Sequence, residues 1–271
     1  MRRYRLAVAV LMTLTAPIAA KAETLRVYAA GSLRAALVDL TRTLETRHPG
    51  LAVELELAAS GLLRERIEKG EQPHLFASAD VGHPTRLANA GFARTPVAIF
   101  ARNQLCALAR EGLAVTTSSL LDTLLDRSVR VGTSTPKADP SGDYAFALFA
   151  KAEAARPGAR VLLEGKALQL TGGPESRKAP EGKNVYAWVM ADGQADIFLT
   201  YCTNAVLAKE ELPGLQVVQI APDLNVAADC GMIVLKDAPV LADRLAGFIL
   251  GDEGQAVLTK YGFGRGGSPR R

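Results

Sequence analysis

Two serines stand at the same kind of place in this chain. Ser32 lies in "VYAAGSL" and Ser60 in "LELAASGLL", each following an apolar strand-like run and opening a helix-like one. A serine there offers a hydroxyl, and a helix start adds unpaired N–H groups and the positive end of a dipole, so such a corner attracts an anion. Serine also caps helices everywhere, and for either residue alone the cap is the plainer reading. Their repetition at successive strand ends is what favours a site. A third corner is Pro140-Ser141-Gly142 in "KADPSGDYA", where Gly142 permits close backbone approach and the turn's N–H groups can line an anion nest; an ordinary turn is the plain alternative. Tyr201, at the end of "ADIFLTY", has a phenol able to donate into a cleft, or else simply packs.

Other chemistries lack their residues. His48, His74 and His83 are scattered, and no HExxH, CxxC or carboxylate-rich loop is present, so no free metal cation is expected. No serine sits in a GxSxG elbow, and "TGGPES" lacks the Lys-Ser/Thr of a phosphate-binding loop. Neutral donors remain, with no evident acid, base or nucleophile. The expectation is a binding protein without a cofactor, not an enzyme.

The elements that must hold these corners alternate. "TLRVYAA" precedes a helix from about Leu33 to Arg47, "LAVELELAA" one from Leu62 to Lys69, and "HLFASA" one near Pro84 to Ala90. After the apolar run "VAIFARNQLCALAR", the pattern resumes with the strand "VRVGTS", helices over "DYAFALFAKAEAA" and near "VYAWVMADG", and the strand "ADIFLTY". "LQVVQIA" and "AADCGMIVL" read as strands paired with each other, and two helices close the chain over "PVLADRLAGFILG" and "EGQAVLTKYG". This is α/β punctuation and implies mostly parallel sheets. The run from Thr171 to Asn184, "TGGPESRKAPEGKN", is the one long Gly/Pro/charge-rich interruption, a length that is often functional or mobile.

Residues 1–22 have a basic start, an apolar middle and an Ala20-Lys21-Ala22 end, the features of a signal peptide, so export is expected. The leader's Arg2, Arg3, Arg5 and Lys21 account for the whole formal charge of +4. A neutral remainder with few aromatics gives nucleic acid no electrostatic footprint, and the basic ending "GRGGSPRR" reads as a frayed terminus. Of the three cysteines, Cys202 with Cys230 is the favoured pair, against three buried thiols acting as small hydrophobes.

With these residues in view, the chain resembles the periplasmic molybdate-binding proteins of ABC transporters, within the larger group of two-lobed bacterial solute-binding proteins. The resemblance rests on "YAAGSLRAALVDL", "LELAASGLLRERIEKGEQPHLFASAD", "DPSGDYA", "NVYAWVMADGQADIFLTY" and "FILGDEGQAVLTKYGF". It implies an α/β, type II periplasmic-binding-protein fold: two lobes, each a mostly parallel sheet flanked by helices, joined by crossing hinge strands. One lobe is expected to comprise residues 23–102 and 203–271, the other residues 103–202. It further implies a periplasmic monomer that binds molybdate or tungstate between the lobes and delivers it to a membrane permease. The ligand-binding residues carried over are Ser32 and Ser60 with hydroxyl and backbone donors, Ser141 and Val185 with main-chain N–H groups, and Tyr201 on the hinge side. Asn184 or Tyr186 is able to take the place of Val185. The same residues would hold the metal oxyanion.

Three departures fall in the second lobe. Serine replaces the family's alanine at Ser141, the segment "TGGPESRKAPEGK" is inserted before Asn184, and the path from Val185 to Tyr201 is short. They leave open a different small anion, or a sensory module in place of transport. A phosphate that keeps its proton needs an acceptor, and Asp139 and Asp143 border the turn; a carboxylate pointing into the cleft favours a protonated anion.

Overall fold

Apolar stripes at helical spacing explain how the strands are covered on both faces. Residues 23–267 are described in the computed structural model of the chain; the expected leader and the end of the basic tail lie outside them. The first half runs β1 (Glu23–Ala30), a 3₁₀ turn (Gly31–Leu33), α1 (Arg34–Arg47), β2 (Leu51–Ala58), α2 (Ser60–Glu68), β3 (Leu75–Ala77) and α3 (Gly82–Asn89). There follow β4 (Ala98–Ala109), α4 (Leu120–Leu125), β5 (Val131–Ser134), α5 (Pro140–Ala155), α6 (Ala159–Lys166), β6 (Leu168–Thr171), α7 (Val185–Ala191) and β7 (Ile197–Tyr201). The chain closes with α8 (Cys202–Glu211), β8 (Gln216–Gln219), β9 (Ala227–Val234), α9 (Val240–Leu250), α10 (Asp252–Lys260) and β10 (Gly264–Arg265). In α1 the buried side chains are Ala36, Leu37, Leu40, Thr41 and Leu44, one face of a 3.6-residue period laid on the sheet.

The strand order is β2-β1-β3-β9-β4-β7-β5-β6. β1 pairs parallel with β2 and β3, and β5 pairs parallel with β6 and β7, so each end of the array is a small parallel sheet. Between them the pairing is antiparallel. β4 joins the two: its first part pairs with β9 from Ala98↔Met232 to Gln104↔Ala227, and its second with β7 from Leu105↔Tyr201 to Ala109↔Ile197. The parallel ends match the expectation, and the antiparallel centre makes the sheet mixed.

Two expectations need correction. The strands of "LQVVQIA" and "AADCGMIVL" do not pair with each other; β8 and β9 both pair antiparallel with β4, at Cys106–Ala109 and Ala98–Gln104. A twelve-residue strand is long enough to receive both, which local patterning does not reveal. The disulfide also differs: Cys106 bonds Cys202, and Cys230 is free and buried. The cause is register. Cys106 stands opposite Thr200, two residues from Cys202, whereas Cys230 stands opposite Ala101, five residues or about 17 Å further along β4.

One carboxylate ties the second lobe's strand ends together. Asp196 Oδ2 accepts from Arg130 N and Nε, and its Oδ1 accepts from Arg110 Nε and Arg130 Nη2, over 2.8–3.0 Å. The Arg130 contacts come first in holding this carboxyl well below the usual carboxylate range. A depressed folded-state value gives stability that is present above the unfolded pKa of about 3.9 and is lost as pH falls through the lower folded value. Both arginines are half exposed, which discounts the pairs. Asp196→Asn is expected to cost about 1–3 kcal/mol in urea denaturation at pH 7, with the gap to the parent narrowing below about pH 4.

Candidate functional site

Neither serine corner is a helix cap. β1 runs into the 3₁₀ turn with Ala30 at the N-cap, Ser32 lies inside the turn half buried, and no side-chain cap bond is made there. α2 begins at Ser60 with Ala59 at its N-cap, again without a side-chain cap. Alanine is a poor cap, so both hydroxyls are free of the role serine usually plays at such a position. Ser60 is fully buried, and its Oγ accepts from Ala79 N at 3.1 Å, which leaves its proton to donate.

Ser32, Ser60 and Ala79 line one wall of a cavity of about 760 Å³, and Asp139, Thr171, Val185, Tyr186 and Tyr201 line it from the other side of the molecule. Four of the five expected ligand residues are thus brought together: Ser32, Ser60, Val185 and Tyr201. The fifth, Ser141, is not among the lining residues. Its main-chain N–H donates to Asp139 Oδ1 at 3.0 Å, and its hydroxyl is buried without a partner. The local reason lies in "DPS": Asp139 is the N-cap of α5, Pro140 occupies the first turn, and the cap uses the N–H that the resemblance assigns to the ligand. Asp139, not Ser141, carries this corner into the cavity.

α7 is capped in the same way, by Asn184 Oδ1 accepting from Tyr186 N and Ala187 N. That arrangement leaves the Val185 N–H outside the cap. Tyr201 is buried and donates its hydroxyl to Ala79 O at 3.1 Å, so it offers the cavity a lone pair while its proton serves the opposite lobe. Ser60, Ala79 and Tyr201 therefore form one hydrogen-bonded chain across the hinge.

The segment from Thr171 to Asn184 supplies much of the wall. Thr171, Gly172, Arg177, Lys183 and Asn184 all line the cavity, as does Arg34 at the start of α1. Gly172 is required to be glycine, having φ of +74° and an ideal Cβ position 2.4 Å from Asp139 Oδ2. Arg177 lies over the Trp188 ring at 4.9 Å and pairs with Asp192, and Lys183 stands 3.9 Å from Glu211. The wall is thus more charged than a set of neutral donors.

Burial pushes the Asp139 carboxyl up to about 6, with the Ser141 N–H and the Ser134 hydroxyl pulling it back. Beneath the cavity, Ser134 Oγ and Thr171 Oγ1 are 2.9 Å apart, and burial raises the Tyr186 phenol. Of the two carboxylates expected beside this turn, Asp139 lines the cavity and Asp143 does not; an Asp-Pro pair at a helix start is a cap signal that turns the Asp139 carboxyl toward Ser141.

The lobes touch at Gly61. Its N–H donates to Ala138 O at 2.8 Å, and its ideal Cβ position is 2.3 Å from Lys137 O. Lys137 holds φ of 67°, with its N–H donating to Asp143 Oδ1 at 2.8 Å. Among the described residues no group of three or more His, Cys, Asp or Glu is placed to hold a metal ion, and no helix is long and apolar enough to cross a membrane.

Comparison with known proteins gives a family and a fold. The family described as bacterial extracellular solute-binding protein matches residues 25–264. An uncharacterized protein of Pasteurella multocida is 36% identical over 206 residues, 76% of this chain and 84% of that protein. The molybdate-binding protein ModA of Mycobacterium tuberculosis is 24% identical over 246 residues, 90% of this chain and 85% of that protein. Among solved structures, the periplasmic molybdate-binding protein of Azotobacter vinelandii superposes with a TM-score of 0.71 at 18% identity, covering 91% of this chain and all of that one. The sulfate-binding protein SubI of Mycobacterium tuberculosis gives a TM-score of 0.72 at 16% identity, covering 89% and 86%.

Proposed function

The chain belongs to the bacterial extracellular solute-binding proteins, and we propose that its cleft captures a small tetrahedral oxyanion in the periplasm and delivers it to the permease of an ABC importer. The observation that supports this reading most is the pair of uncapped serine corners, Ser32 and Ser60, facing a second lobe across one cavity. Buried hydroxyl and N–H dipoles share an anion's charge, and exclusion of water on closure strengthens each bond. Relatives of this fold are named for molybdate and sulfate, both tetrahedral oxyanions. Molybdate and tungstate, nearly equal in size and charge, are the members the resemblance favours; a different small anion is favoured by the carboxylate of Asp139 in the wall.

Closure is the expected conformational step, and the Gly61 N–H to Ala138 O bond is a contact of the closed arrangement. The functional role is binding and hand-over, with no chemical step. Ser32→Ala and Ser60→Ala are each expected to weaken oxyanion binding by about 1–3 kcal/mol, because the buried anion loses a donor. Titration calorimetry on the two variants checks this; unchanged affinity in both removes the serine corners from the site.

A further inference from the structure

Asp139 sets this cleft apart from a cage of neutral donors. It lines the same cavity as Ser60 and Tyr201, and it is held there by constraints that leave it little freedom. One oxygen accepts from Ser141 N at 3.0 Å, and Gly172 closes over the other oxygen where a Cβ would lie 2.4 Å away. The carboxylate has about four acceptor positions. The Ser141 N–H uses one of them.

Asp139 lines the cavity, so the acceptor positions it has left are offered to a ligand that must itself be an anion. A dianion without hydrogens, such as molybdate or sulfate, meets this carboxylate with repulsion and gives it nothing to accept. An oxyanion that carries an O–H satisfies it and has less charge to repel. Near neutral pH phosphate keeps such a proton, and a hydroxylated phosphate ester presents O–H groups beside its phosphoryl oxygens. The cavity's 760 Å³ equals roughly 25 water volumes of ~30 Å³, so an oxyanion fills only part of it. Arg177 and Lys183 also line it.

We propose that Asp139 is a specificity-determining acceptor, and that the ligand of this cleft is an oxyanion bearing an O–H group, of the hydrogenphosphate or hydroxylated phosphate-ester kind. The inference rests on the oxyanion reading above. Burial that raises the Asp139 pKa agrees with it, since a carboxylate short of partners gains most from a donor supplied by the ligand.

The test is calorimetry at pH 7.5 on the chain from residue 23 and on its Asp139→Asn variant, with phosphate, glycerol phosphate, sulfate and molybdate as probes. Asparagine keeps the N-cap of α5, and a melting temperature no lower than the parent's verifies that. It replaces an acceptor by an NH₂ donor on one side. The expected result is that the parent binds phosphate or glycerol phosphate at least tenfold tighter than sulfate and molybdate. Asp139→Asn then weakens the O–H-bearing ligands at least tenfold and leaves the two dianions equal or tighter. Tighter binding of glycerol phosphate assigns the rest of the cavity to an organic part, and tighter binding of phosphate assigns the site to the inorganic anion; both support the proposal. A parent that prefers molybdate, or a variant that changes all four probes alike, overturns it while leaving the oxyanion reading intact. A parent that binds none of the four overturns that reading and this inference together.

Discussion

Gly61→Ala should lower ligand affinity roughly 5- to 150-fold, corresponding to about 1–3 kcal/mol of overpacking. The added methyl would lie 2.3 Å from Lys137 O and 2.7 Å from Ala138 O, and both atoms are backbone. Neither yields as the end of a flexible side chain would, so the lobes must separate to admit it. The same separation breaks the Gly61 N–H to Ala138 O bond. Within its own lobe the substitution is harmless, since Gly61 has no positive φ and alanine is the better helix former. The variant should therefore melt like the parent without ligand and fail to compact with it. Calorimetry gives the affinity, and small-angle scattering reads the ligand-induced decrease in radius of gyration. Parent-like affinity and compaction would show that this contact is no part of closure.

Removing the Cys106–Cys202 disulfide should cost about 2–5 kcal/mol of folding stability. The crosslink closes a loop of 96 residues, near the upper end of the chain-entropy scale for one bridge. It joins β4, the strand shared by both lobes, to the start of α8, one residue beyond Tyr201. Urea denaturation of a Cys106→Ala, Cys202→Ala double variant checks the magnitude. A reductant should destabilise the parent to a similar degree and leave the double variant unchanged. Cys230 is buried, with its thiol pushed up by burial and facing Ala79 O, and should resist thiol reagents until the protein unfolds. Equal stability of parent and double variant would contradict the structural role given to the bridge.

What was legible in the sequence was local. A strand followed by two small residues and a helix start is written in consecutive residues, and the corners at Ser32 and Ser60 lie where that pattern puts them. Helical stripes such as Leu37, Leu40 and Leu44 were equally plain. What local pattern does not carry is which distant strand supplies a partner: β8 and β9 both choose β4, and Cys202 meets Cys106 because of the β4–β7 register. The second-lobe corner depends on a side chain and not on strand pairing. In "DPSG" the Asp139 side chain caps the helix with the Ser141 N–H that a ligand would otherwise meet. The 171–184 segment was recognisable as unusual in composition, yet its place in the cavity wall follows from Gly172 packing on Asp139, a contact across 33 positions of sequence. Ser32, Ser60, Val185 and Tyr201 thus line one cavity as local pattern and resemblance led one to expect, whereas the part of the 171–184 segment in its wall was not legible.

The central claim, that this cleft binds a small oxyanion, is tested most directly by the melting temperature of the chain from residue 23 in the presence of molybdate, tungstate, sulfate, phosphate, glycerol phosphate and simple carboxylates. A ligand at a thousand times its Kd adds about 4 kcal/mol, or roughly 8–16 °C for a domain of this size. A rise of that order is expected with at least one oxyanion, reduced in Ser60→Ala, and none with the carboxylates. A melting point that no oxyanion moves, or that only a carboxylate raises, would contradict it.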